Sequence, residues 1–139
     1  MSIPMAVPER TGRPPVRDRF AAVTTLTVAT ALVQLAPLRV ALAAARIAKR
    51  CTGRPATPAE ATKTVAARDW ASQFFPSRAA CLEMSLAAVL HSALHGRSVD
   101  WCIGCRFDPC ESHAWIEAGA QPIGEPNTPD RPFHTTLRI

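Results

Sequence analysis

Three side chains in this sequence have the types and spacing to do chemistry together: Cys81, His113 and Glu125. A thiol, an imidazole and a carboxylate are the parts of a cysteine nucleophile, its general base and the group that orients the base. Cys81 opens an apolar run in which Leu82, Leu86, Val89, Leu90 and Ala93 recur at helical spacing. That spacing predicts a helix from Arg78 to about Leu94, with Ser77 as N-cap and His95-Gly96 as the stop signal. Cys81 then sits in the first turn, where unpaired N–H groups and the positive end of the helix dipole favour a thiolate. Taken alone, a free cysteine there reads as a small apolar filler of a helix core, the usual fate of such a residue.

The histidine and the carboxylate need strands. Val99, Trp101, Ile103, Cys105 and Phe107 alternate with polar or small residues, which predicts a strand over 99–107. Asp108-Pro109 supplies a turn. The next strand puts His113, Trp115 and Glu117 on one face and Ala114, Ile116 and Ala118 on the other; Gly119 turns the chain and Gln121–Glu125 returns. If the loop is Ala118-Gly119-Ala120, Glu117 pairs with Gln121 and His113 falls opposite Glu125. Their Cβ atoms would then be about 4.5–5.5 Å apart. The register is an assumption, since a two- or four-residue loop changes it. Glu117 shares the face of His113 but lies roughly 13 Å along the strand, at about 3.3 Å per residue.

Other constellations compete for these residues. Cys102-x2-Cys105-x4-Cys110-x2-His113 has the composition of a Cys3His zinc site. Against it, Cys102 and Cys105 fall on opposite faces of a well-patterned strand, where a metal knuckle needs a tight turn. His91 and His95 have the i, i+4 spacing of a helical metal pair, but they lack the intervening glutamate of a zinc-peptidase helix and read as surface residues near a helix end. His134 lies in a proline-rich tail without an evident partner. No phosphate-cradling glycine loop or nucleophile-elbow serine is present, and the expectation is a protein without metal or cofactor.

The rest of the chain has to position that site. Its 139 residues suffice for one compact domain. Residues 1–17 read as a disordered tail, 18–54 as an apolar and basic helical segment, and 55–139 as the core carrying the chemistry. Phe20 to Leu38 contains no charge and approaches the length of a membrane span, but its threonines, Gln34 and Pro37 favour a buried or surface-docked helix broken near Pro37. After a linker at 51–58, Ala61, Val65, Ala66, Trp70 and Phe74 predict a helix over Ala59–Phe75. The prolines from Pro122 to Pro132 read as tail and linker.

Charge is uneven. Residues 1–54 carry nine Lys/Arg against Glu9 and Asp18, whereas residues 55–139 carry seven against nine acidic groups. A basic N-terminal helix ahead of a slightly acidic core suits a membrane surface or an acidic partner, and argues against a nucleic-acid reader. Five cysteines, an odd number, with no secretory signal pattern, imply a reducing compartment. The expected architecture is α+β, with N-terminal helices packed on a small antiparallel sheet.

The residues also carry a resemblance. Cys81-Leu82-x-x-Ser85-Leu86, Ile103-Gly104-x-Arg106, His113-Ala114-Trp115-Ile116-Glu117 and Pro122-Ile123-Gly124-Glu125 resemble the stand-alone leader peptidases of lasso peptide biosynthesis, a bacterial branch of the transglutaminase-like cysteine proteases. The resemblance covers about residues 20–135. It implies a transglutaminase-like, papain-like core with Cys81 as nucleophile, His113 as base and the third member twelve residues later, at Glu125. The family normally has aspartate there, so Glu125 is a departure. The family commonly has aliphatic or aromatic residues at 102, 105 and 110, which makes those cysteines fillers. It further implies cytoplasmic hydrolysis of a precursor peptide at the leader–core junction. The partners would be a separate leader-recognition protein and an ATP-dependent macrolactam cyclase, with the N-terminal helix as docking surface. The Cys81 N–H is the expected oxyanion donor, with Gln73 as a candidate second. The competing class is a non-catalytic, membrane-associated or zinc-stabilised binding module.

Overall fold

The computed structural model describes residues 13–75, 80–125 and 130–139. The helices among the described residues are α1 (Val16–Leu35), α2 (Leu38–Arg50), α3 (Pro58–Ser72) and α4 (Cys81–Leu94). Pro37 separates α1 from α2 as N-cap of the second helix, because its ring and missing N–H forbid a continuous helix through that point. Among the described residues no helix is long and apolar enough to cross a membrane. The third helix starts on a reciprocal cap that the sequence reading passed over. The Thr57 hydroxyl accepts from the Glu60 N–H, and the Glu60 carboxylate accepts from the Thr57 N–H. Arg54 forks onto the same carboxylate and, with the Thr57 N–H, holds it down to about 2.

The helix expected from Arg78 to about Leu94 begins later than predicted. Its first residue is Cys81 and its N-cap is Ala80; Ser77, the expected cap, lies outside the described residues. This helix, α4, is the centre of the fold: α1, α2 and α3 pack around it on one side, β3 and β4 on the other. Ser85 to Val89 are consequently buried on every face. Ala22, Leu26 and Ala29 of α1 share this core with Leu86, Ala87 and Ala88 of α4, and the small side chains let the two axes approach closely. Leu26 is fully buried. Leu26→Ala is therefore expected to lower stability by about 3–5 kcal/mol in urea unfolding. A loss below about 1 kcal/mol would mean that α1 is not part of the core.

The main sheet has the order β5-β4-β3-β6 and is antiparallel throughout, built from β3 (Asp100–Arg106), β4 (Glu111–Ala118), β5 (Gln121–Ile123) and β6 (His134–Arg138). A separate parallel pair joins β1 (Arg54–Pro55) to β2 (Arg97–Ser98). The α+β architecture of helices on a small antiparallel sheet is the one expected. The strand β6 was not: the C-terminal segment, read as tail, adds an edge to β3, with Ile139 and Trp101 exchanging both backbone hydrogen bonds at 3.0 Å. Its signal is weak because the strand is only five residues long and follows closely on the proline group.

The alternation in β3 and β4 separates two faces. Trp101, Ile116 and Ala118 enter the helical core, where the Trp101 indole donates to Ser85 Oγ at 2.8 Å. Gly104, Cys102 and Asp100 pair with His113, Trp115 and Glu117 on the opposite face. Gly104 has no side chain for a geometric reason: a Cβ there would run into the His134 carbonyl and approach the Trp115 ring to 2.8 Å.

Candidate active site

Cys81 is N1 of α4, half-buried, behind an Ala80 N-cap that offers no side-chain acceptor. The first intrahelical bond runs from Met84 N to Ala80 O, so the N–H groups of Cys81, Leu82 and Glu83 precede the regular ladder. Donors of this kind can receive a developing oxyanion. Gln73 is the exposed C-cap of α3.

His113 lies near the start of β4, opposite Gly104. Its Nε2 is 2.7 Å from Glu125 Oε2, and both side chains are one-quarter exposed. The pair forms by a different route from the one expected. The hairpin loop has two residues, not three: Ala118 pairs with Gln121, Glu117 with Pro122 and Ile116 with Ile123. Gly119 and Ala120 both have positive φ, at 59° and 61°, the conformation of a tight turn matched to strand twist. The assumed register is thus wrong by one residue. The ladder ends at Ile123, and Gly124 then turns the chain with φ 72°. Glu125 lies beyond the paired strand, and its carboxylate reaches back to the imidazole.

Two aromatic rings enclose the imidazole. Trp115 stacks on it at 6.0 Å between centroids and Phe133 lies at 5.1 Å. Phe133 is steadied in turn by the Arg106 guanidinium, 4.4 Å from its centroid, while Arg106 is ion-paired to Glu111 across the β3–β4 pair. Phe133 was missed in the sequence, since nothing local distinguishes an aromatic in a proline-rich segment from a linker residue. These rings cover part of the imidazole–carboxylate bond and limit the water that reaches it.

Glu117 has a different job. It is 7 % exposed, accepts from the Trp115 indole at 3.0 Å and from Arg138 at 2.6 Å, and the same guanidinium nitrogen contacts Asp100 at 3.2 Å. Lys49 of α2 also reaches Asp100, at 2.5 Å. This network ties α2, β3, β4 and β6 together, with Glu117 fixing the ring that stacks on His113.

The structure therefore joins His113 to Glu125, whereas among the described residues no hydrogen bond links Cys81 to the imidazole. The knuckle cysteines do not gather. Cys102 is sealed in the sheet, Cys105 is half-buried on the opposite face and Cys110 is exposed in the turn. Burial, with Glu117 nearby, pushes the Cys102 thiol up to about 11. Its thiolate fraction near neutral pH is then on the order of 10⁻⁴, against a few per cent for an ordinary cysteine. In peptide mapping after iodoacetamide treatment of the folded protein, Cys102 should stay unlabelled while Cys51 and Cys110 react. Labelling of Cys102 at their rate would contradict the sealed sheet.

Helices packed on a small antiparallel sheet, with a cysteine heading the central helix and a carboxylate-bound histidine on a strand, define an α+β domain of transglutaminase-like architecture. The chain belongs to the transglutaminase-like superfamily, whose family model matches residues 12–138 and so includes α1 and β6. That superfamily includes cysteine peptidases and transglutaminases. No curated protein and no solved structure matches the chain.

Proposed function

We propose that this protein is a cysteine endopeptidase that removes the leader from a ribosomally made precursor peptide of the lasso type. The observation that carries the reading is the 2.7 Å bond from His113 Nε2 to Glu125, together with Cys81 as first residue of the central helix of a transglutaminase-like fold. With Nε2–H held by the carboxylate, Nδ1 is the nitrogen left to act as base. It takes the Cys81 proton as the thiolate attacks the scissile carbonyl, and the Cys81 N–H donates to the oxyanion. The imidazolium then protonates the leaving amine. Water, deprotonated by the same nitrogen, hydrolyses the thioester and regenerates the thiol. No metal or cofactor takes part in these steps.

The substrate arrives, in this reading, on a separate leader-recognition protein in the cytoplasm, and the released core passes to a macrolactam cyclase. The N-terminal helix supports a docking role with the side it turns away from the core. Val16 and Phe20 are exposed and, with Arg19, Val23 and Trp70, line an apolar groove between α1 and α3. Its basic flank suits an acidic partner.

The test is incubation with the precursor peptide, with and without the recognition protein, read by mass spectrometry. The expected result is a single cut at the leader–core junction, accelerated by the recognition protein. An intact precursor in both reactions would refute the peptidase reading.

A further inference from the structure

At the end of α4 remote from Cys81, three potential metal ligands converge. Asp18 comes from the first turn of α1, His91 and His95 from the last turn of α4. One donor atom from each lies within 4.8 Å of the other two. The sequence reading placed both histidines on the surface. For His91 that is wrong: it is 3 % exposed, covered by α1, because α4 is buried on all sides over most of its length.

The hydrogen bonding of the two imidazoles leaves lone pairs directed at one another's neighbourhood. His95 Nδ1 is 2.9 Å from the His91 carbonyl, which only accepts, so this nitrogen carries the proton. In the neutral tautomer Nε2 is then a lone pair, yet it faces Asp18 Oδ1, another acceptor, at 3.0 Å. Two acceptors at that distance need a cation: a second proton on the ring or a metal ion. His91 argues for the metal. Its Nδ1 is buried and has no hydrogen-bond partner, a costly state for a polar atom. An orphaned buried N–H is rarer than an orphaned acceptor, so the ring proton is assigned to Nε2 rather than to this unpartnered Nδ1. Nδ1 is then a second available lone pair. The two rings are 4.8 Å apart between centroids. His95 thus donates its other N–H to a backbone carbonyl, the outer-shell pattern of metal-bound imidazole.

We propose that Asp18, His91 and His95 form a divalent-cation site, suited to Zn²⁺, that clips the start of α1 to the end of α4. Donors on one zinc ion at 2.0–2.1 Å stand roughly 3.3 Å apart. The 3.0 Å contact between His95 and Asp18 is already near that value, and the His91 donor lies within 4.8 Å of both. Two imidazoles and one carboxylate leave the fourth tetrahedral position to water. His91 lies ten residues after Cys81, about 15 Å along the helix at 1.5 Å per residue, so the ion is remote from the proposed nucleophile. Its role is to hold α1 against the helix that carries the thiol, and it stands independently of the peptidase reading.

The test uses the full chain stripped with chelator, with Zn²⁺ added alone. One equivalent should bind and raise the Tm. Co²⁺ should give d–d absorption without a thiolate charge-transfer band, which separates this site from the five cysteines. Asp18→Asn and His95→Gln, both at accessible positions, should fold normally and each lose at least about tenfold in affinity. A Tm indifferent to Zn²⁺, unchanged affinity in both variants, or a cobalt–thiolate band would each overturn the proposal. The first result would leave Asp18–His95 as an ion pair only.

Discussion

Cys81→Ala is expected to abolish precursor cleavage, with kcat/KM falling by on the order of 10⁴-fold or more. No other cysteine stands at this position: Cys51 and Cys110 are exposed elsewhere, Cys102 is sealed in the sheet and Cys105 is half-buried on β3. The substitution should leave the fold intact. Alanine is the best helix former, and the half-buried first residue of α4 makes no side-chain cap. An unchanged Tm alongside lost cleavage would therefore isolate the chemical role of the sulfur. Cys51→Ser and Cys110→Ser serve as controls and should cleave at the parental rate. Cleavage surviving in the Cys81→Ala protein would remove the nucleophile from the mechanism altogether.

The second large effect separates two glutamates that share a hairpin. Glu125→Gln keeps the length of the side chain and an oxygen able to accept from His113 Nε2–H, but it removes the charge that stabilises the imidazolium formed during attack. A fall in kcat of about 10²–10⁴-fold is expected, with little change in KM or Tm. Glu117→Gln should do the reverse. It leaves the Arg138 guanidinium without its closest carboxylate in a site where Glu117 is almost fully buried, at a stability cost of about 1–3 kcal/mol. Turnover per folded molecule should stay near the parental value. Chemical denaturation and steady-state kinetics on both variants make the comparison. Equal losses of kcat would mean that Glu117 acts on His113 as directly as Glu125 does.

That contrast shows what kind of information the chain carries locally. Period-two alternation in Asp100–Arg106 and Glu111–Ala118 is written residue by residue, because a half-buried strand must place apolar groups on alternate positions. The break at Pro37 is equally local, since proline denies a helix both an N–H and space. The distance of twelve residues from His113 to Glu125 was legible too, and the two do meet. The route was not. Both a two- and a three-residue loop fit Ala118-Gly119-Ala120, and only the positive φ at Gly119 and Ala120 decides for the shorter one. Glu125 then reaches His113 from beyond the ladder, after a turn at Gly124 that packs against Val65 of α3.

Contacts between segments distant in the chain account for what was misread. Glu117 looked idle because its partner Arg138 stands 21 positions away and reaches it only through β6 pairing with β3. His91 looked solvated because it stands near a helix end, and its burial requires α1 folding back over α4 from more than 70 residues upstream. Phe133 looked like a linker residue until the chain returned it to the imidazole. By itself the sequence determined the helices, the two central strands, the cysteine at a helix start and the histidine on a strand, because these follow from periodicity and backbone chemistry within a few residues. Tertiary structure alone decided which carboxylate bonds His113, which one braces the sheet, and that Asp18 lies beside two histidines of α4. Each of those outcomes depends on the packing of elements that no local pattern specifies.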